Sequence, residues 1–195
     1  MIHPLAIEDV KSQHYAEKLR QVCSGQLVSQ VQRLVEGDWL LALPGKQMGL
    51  QALLAACLEK AAGGMLLDST HAQAVEAWKA DSAALDNGRR SCLAVLYVDE
   101  LRERAGLIAS YFYGQPSQSL KVTAVTGTNG KTTACYGLAR SLALLGAKSV
   151  CVGTVGIFSF EPIRQRAPYI PGQDDPLVRQ LAEPGLTSLD AVSLQ

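Results

Sequence analysis

A chain of 195 residues, 48% of them apolar, is long enough to bury one large core or two smaller ones. Eighteen basic residues balance eighteen acidic ones without a basic stripe, which argues against nucleic acid and anionic membrane as partners. No apolar run approaches the ~20 residues of a membrane span, and MIHPLAIEDVKSQHYAEK lacks the features of a signal peptide, so a cytoplasmic location is expected.

Residues 7–22 place Ile7, Val10, Tyr15, Leu19 and Val22 at near-helical spacing and predict an amphipathic helix. WLLALPG (39–45) reads as a strand and turn, QALLAACLEKAAGG (51–64) as a helix stopped by two glycines, and GMLLDS (64–69) as a strand. A helix is expected over 70–85 with Ser69 or Thr70 as its N-cap, then a strand over 91–98 and a helix over 99–114. Such alternation predicts an α/β domain over residues 1–117, closed by the polar linker QPSQSL.

A second unit, 118–195, begins with a strand over 120–127, a helix from Lys131 to Leu145 and a return strand over 149–156. That order is the opening of a mononucleotide-binding parallel sheet, here incomplete. From Phe158 to Gly185 the five prolines predict a long loop with a short helix at PLVRQLAE (176–183), and LTSLDAVSLQ suits either helix or strand.

The five cysteines contain no C-x-x-C pair and lie among apolar neighbours, so buried reduced thiols are expected. His3, His14 and His71 stand far apart and near no cysteine, which argues against a zinc site. Trp39 and Trp78 are read as packing residues, and Arg89, Arg90, Arg164 and Arg166 as solvated loop residues.

The stretch VTAVTGTNGKTT (122–133) carries the chemistry. Gly127 and Gly130 permit backbone angles and close approaches that a Cβ forbids. The amides of Thr128, Asn129, Gly130, Lys131, Thr132 and Thr133 can then converge on phosphate oxygens at the positive end of the following helix. Lys131 would reach the β- and γ-phosphates of ATP, and the Thr132 hydroxyl would sit on Mg²⁺. The usual pattern has a further glycine where this chain has Val125, so the motif is a shortened variant.

VTAVTGTNGKTTACYGLARSLALLGAKSVCVGTVG closely resembles the ATP-binding segment of the Mur ligases. VEGDWLLALPGKQ and LYVDELRERAGLIASYFYGQPSQSL resemble, more narrowly, the MurE branch. That branch appends meso-diaminopimelate or lysine to UDP-MurNAc-L-Ala-D-Glu in peptidoglycan synthesis. The resemblance runs from about Val35 to Gly156. It implies ATP and Mg²⁺ as cofactors, held by Gly127 to Thr133, with Lys131 catalytic and Thr132 on the metal. It also implies that 1–117 is the UDP-substrate-type domain and 118–195 the first, truncated part of the central ATP-binding domain.

The departures from the family bear on function. Where the family carries Asp-Ser-Arg, this chain has Gln30, Val31 and Gln32, and valine offers no hydroxyl to the uridine diphosphate. QMGLQALL replaces an Asp-Gly-His segment. The matches to the family's Thr-Thr-Pro and Glu-Val-Ser are Tyr169-Ile170-Pro171 and Ala191-Val192-Ser193. The family's C-terminal, amino-acid-binding domain has no counterpart here. Three readings stand: a MurE-like ligase portion that is inactive alone, a non-enzymatic Mur-like protein that binds nucleotide or a partner, and an unrelated P-loop NTPase, which is disfavoured because the resemblance runs on both sides of the turn. A protein partner completing the fold is a candidate under the first two.

Overall fold

The computed structural model describes residues 9–45, 48–81, 90–162 and 178–182. They form two compact units that divide between Lys121 and Val122. Among the described residues no helix is long and apolar enough to cross a membrane.

The first unit runs α1 (Val10–Val22), β1 (Leu27–Val28), β2 (Trp39–Leu41), α2 (Leu50–Glu59), β3 (Gly64–Asp68), α3 (Ala72–Ala80), β4 (Ala94–Val98) and α4 (Leu101–Phe112). Its four strands lie in the order β1-β2-β3-β4 and pair in parallel throughout. Parallel neighbours need crossovers, which α2 and α3 provide between β2, β3 and β4.

Side chains alternate across a strand, and the core divides accordingly. Trp39, Leu41 and Leu66 face α1 and α4, where Leu19, Leu101 and Ile108 meet them. Leu40, Met65 and Leu67 face the opposite way, onto Leu53, Leu54 and Cys57 of α2 and Val75 of α3. Burial on both faces explains why WLL and GMLL read as unbroken apolar runs.

Asp38 joins the strand ends. Its Oδ1 accepts the Gln26 N–H at 2.8 Å and its Oδ2 accepts that of Val35 at 3.3 Å. Gly25 is required there, since a Cβ would lie 2.5 Å from Asp38 Oδ1.

The helix at the N-terminus is rotated from the face its spacing predicts. Ser12, Ala16 and Leu19 are buried, whereas Val10 is 75% and Val22 59% exposed. Asp9 decides this. It caps α1 by accepting from Lys11 N–H, receives the Ser12 hydroxyl at 2.6 Å, and pairs with Arg104 of α4. The helix expected over 70–85 occupies 72–80 among the described residues. Neither Ser69 nor Thr70 caps it. Asp68 instead caps a 3₁₀ turn, Ser69–His71, that leads into α3. Cys57 and Cys151 are buried and Cys23 and Cys135 partly so, but Cys92 is exposed, against the expectation of burial.

The second unit contains α5 (Lys131–Leu144), β5 (Ser149–Gly153), β6 (Gly156–Phe160) and β7 (Val178–Ala182). The α/β class holds, and the nucleotide-binding sheet is incomplete, but three local expectations differ. Residues 121–126 make no strand pairing, and Val122 is 74% exposed. A parallel strand needs a hydrogen-bonded neighbour, and the described residues supply none beside it. The return strand ends at Gly153, and Thr154-Val155 turn it into an antiparallel hairpin with β6. Residues 178–182 pair with β6 as a third antiparallel strand where a short helix is expected. A helix of that length is marginal without packing, and pairing with β6 outweighs it.

Helix α5 lays Ala139 and Ala143 on the sheet, where they meet Cys151 and Phe160. Tyr136 packs edge-to-face on Phe158 and Phe160 at 5.9 and 4.9 Å. The helix stops at Gly146, whose φ of +88° suits glycine, and Ala147 N–H returns to Leu142 O at 2.9 Å.

Candidate functional site

Residues 127–133 form a continuous turn into α5. Gly130 is the N-cap, with φ +78°, and Gly127 has φ +152°, both angles that side chains rarely adopt. A Cβ at Gly130 would meet nothing within 4 Å, so backbone angle and not crowding demands glycine there.

Lys131 folds its side chain back over this turn. Its ammonium donates to the carbonyl of Gly127 and, at 3.2 Å, to that of Thr128. The charge is thereby positioned over the loop by the loop's own backbone. The N–H groups of Lys131, Thr132 and Thr133 precede the first intrahelical bond, which Ala134 N makes to Gly130 O at 2.9 Å. No side chain caps the helix and no acidic residue lies in its first turn. The positive end of α5 therefore has no acidic side chain of its own first turn to balance it. Thr128, Asn129, Gly130, Lys131 and Thr133 are exposed and Thr132 is half-buried, so the turn is accessible.

The structure thus brings Gly127 to Thr133 into one arrangement. It leaves other sequence-stated positions aside: Arg89, Arg164, Arg166, Tyr169-Ile170-Pro171 and Ala191-Val192-Ser193 all lie outside the described residues. Among the described residues no group of three or more His, Cys, Asp or Glu could hold a metal. In the first unit Val31 opens a 3₁₀ turn, Val31–Arg33, and packs against the core beneath α2. An apolar side chain therefore fills the position where the resemblance places a serine. Trp39 is buried and Trp78 half-buried against the cores, which confirms both as packing residues.

One polar constellation escaped the sequence reading. At the carboxyl ends of β3 and β4, Asp68 accepts the Thr70 hydroxyl at 2.7 Å and the Leu101 N–H at 2.9 Å. Beside it, Asp99 accepts the Ser69 hydroxyl at 2.6 Å. The Thr70 hydroxyl and the Leu101 amide hold the Asp68 carboxyl below the usual carboxylate range. The Ser12 hydroxyl, with Arg104 as a further cause, does the same for Asp9. Glu100 takes a left-handed φ of +55° at the N-cap of α4 while pairing with Arg104 at 2.8 Å. The signal lay in Asp-Ser-Thr and Asp-Glu directly after two apolar runs, where turn residues at strand ends cap the next helix.

Two successive units, the second entered through a glycine-framed, lysine-bearing turn, define the class: a two-unit α/β protein. No protein-family model matches the chain. Curated relatives do. The chain is 40% identical over 124 residues to the UDP-N-acetylmuramoyl-L-alanyl-D-glutamate--2,6-diaminopimelate ligase of Chromobacterium violaceum, covering 64% of this chain and 23% of that protein. It is 35% identical over 131 residues to the ligase of the same name from Haemophilus ducreyi, covering 67% and 26%. The Janthinobacterium enzyme of that name is 30% identical over 135 residues, covering 69% and 24%. The chain is therefore related to the Mur ligases of the MurE kind, and it spans about a quarter of the length of these relatives.

Proposed function

We propose that this chain supplies the ATP-holding turn and the UDP-substrate-type domain of a MurE-like amide ligase in peptidoglycan precursor synthesis. The observation that carries this reading is the Lys131 ammonium seated on the carbonyls of Gly127 and Thr128, beside an uncapped helix N-terminus. The open space at Gly130 fits a phosphate group. The amides of Thr128 to Thr133 would surround the β- and γ-phosphates of ATP, and the Thr132 hydroxyl would ligate Mg²⁺. ATP, when bound, supplies a phosphoryl group that turns the terminal carboxylate of the peptide into an acylating agent. Lys131, now on its own loop's carbonyls, would offer its charge to the phosphate oxygens and so stabilise the group in transfer.

On this reading residues 1–117 face the UDP-MurNAc-peptide and 118–195 the nucleotide, in the cytoplasm. Val31, without a hydroxyl, makes the UDP-linked substrate a weak ligand of the first unit. The relatives are named as ligases of UDP-N-acetylmuramoyl-L-alanyl-D-glutamate and 2,6-diaminopimelate; on this reading the first would supply the carboxylate and the second the amine.

Calorimetric titration of ATP with and without Mg²⁺ tests the reading. Loss of one charge-assisted contact is worth about 1.5–3 kcal/mol, so Lys131→Ala should weaken ATP binding by about 10- to 100-fold. Its far-UV circular dichroism should match that of the wild type, because Lys131 is exposed. Equal affinity of wild type and Lys131→Ala would remove the nucleotide role.

A further inference from the structure

Helix α5 carries a thiol one turn beyond Lys131, at Cys135. Cys135 is partly buried and packs against the cluster of Ala139, Ala143, Cys151 and Phe160. Cys151, in the middle of β5, is a buried member of that same cluster. The other thiols are placed differently. Cys57 is enclosed in the first unit, where burial pushes its thiol up to about 12. Cys23 donates to Gly25 O at 3.3 Å, and Cys92 is exposed in a 3₁₀ turn.

A disulfide needs Cβ atoms about 4 Å apart, and a helix packed on a strand through one small cluster that holds both thiols places them for that approach. We propose that Cys135 and Cys151 are an oxidisable pair, converted by peroxide into an intrachain disulfide that ties α5, directly behind the phosphate turn, to β5. The accessible sulfur reacts first. The Cys135 thiolate attacks one peroxide oxygen, the O–O bond breaks, and the departing hydroxide takes up the thiol proton as water, leaving a sulfenic acid. The Cys151 sulfur then attacks the sulfenic sulfur, the S–O bond breaks, and hydroxide leaves with the Cys151 proton as a second water. Two thiols and one peroxide become one disulfide and two waters. Burial pushes the Cys151 thiol up, which leaves the partly exposed Cys135 as the sulfur that meets peroxide first.

The full chain, treated with hydrogen peroxide under native conditions and then alkylated, tests the pair. Two of the five thiols should become protected, with the loss of two hydrogens, and dithiothreitol should restore both. Trypsin cuts after Arg140 and Lys148, so the peptides containing Cys135 and Cys151 should appear joined. Cys92→Ser should keep the cross-link. Cys135→Ser and Cys135→Ala, at a partly exposed site, should abolish it while preserving the circular dichroism spectrum. A cross-link through Cys92 or between chains would overturn the proposal. So would oxidation of Cys135 to the sulfinic acid with Cys151 still open to alkylation, or retention of five alkylatable thiols.

Discussion

In the first unit α1 and α4 cover one face of the sheet and α2 and α3 the other. Leu40, Met65, Leu66 and Leu67 consequently reach zero exposure. The second unit, among its described residues, has α5 on one face only. Val150 and Val152 of β5 and Leu181 of β7 are 52%, 42% and 52% exposed, and Leu138, Leu142 and Leu145 line the outer side of α5. Yet the phosphate turn belongs to this less covered unit. Its form rests on two glycine angles, a helix N-terminus and a lysine bonded to its own loop, all of them local. A site of this kind does not depend on a closed core, whereas strand order and stability do.

The contrast can be broken or sharpened by substitution. Phe160 is fully buried and central to the small cluster beneath α5. Phe160→Ala should cost about 3–5 kcal/mol and release amide exchange protection in β5 and β6 while leaving β3 and β4 protected. Leu66→Ala, at zero exposure between β2 and β4, should cost about 2–5 kcal/mol with the opposite exchange pattern. Parallel loss in both units for either variant would mean that the cores are not independent. Asp38→Ala should cost about 1–3 kcal/mol by urea denaturation, because the Gln26 and Val35 amides lose their acceptor.

Acid should act on the first unit through Asp68 and Asp9. Both have folded pKa values below their unfolded ones. Their contribution is whole above about pH 4 and is lost as pH falls toward and through the depressed folded values. The drop in urea midpoint between neutral pH and pH 3 should therefore shrink in Asp68→Asn. The smallest effect belongs to the outer side of α5. Leu142→Ala, 38% exposed, should change stability by less than about 0.5–1 kcal/mol, in contrast to Phe160→Ala one layer away.

Much of the fold was legible from periodicity and punctuation. Apolar runs of WLL and GMLL, helices closed by glycine, and strands alternating with helices are local patterns, and each unit of the first domain appeared close to its expected place. The turn at 127–133 was legible as geometry for the same reason: its glycines, lysine and helix start lie within a few residues of one another. What failed were matters of partnership. The buried face of α1 was decided by Asp9, Ser12 and Arg104 meeting across two helices, not by the spacing of valines. VRQLA is a strand because β6 offers it hydrogen bonds, and VTAV is unpaired because nothing described lies beside it.

By itself, then, the sequence determined the α/β class, the turn at Gly127 to Thr133 and the kinship with MurE-type ligases, whereas the parallel order of the first sheet came from the structure. Tertiary structure alone decided which helix faces are buried, that β5, β6 and β7 run antiparallel, that Asp38 and Asp68 join distant segments, and that Cys135 and Cys151 share one cluster. The physical reason is range. Backbone angles and helix ends are set by neighbours in the chain, whereas pairing and burial depend on which segments the fold brings together.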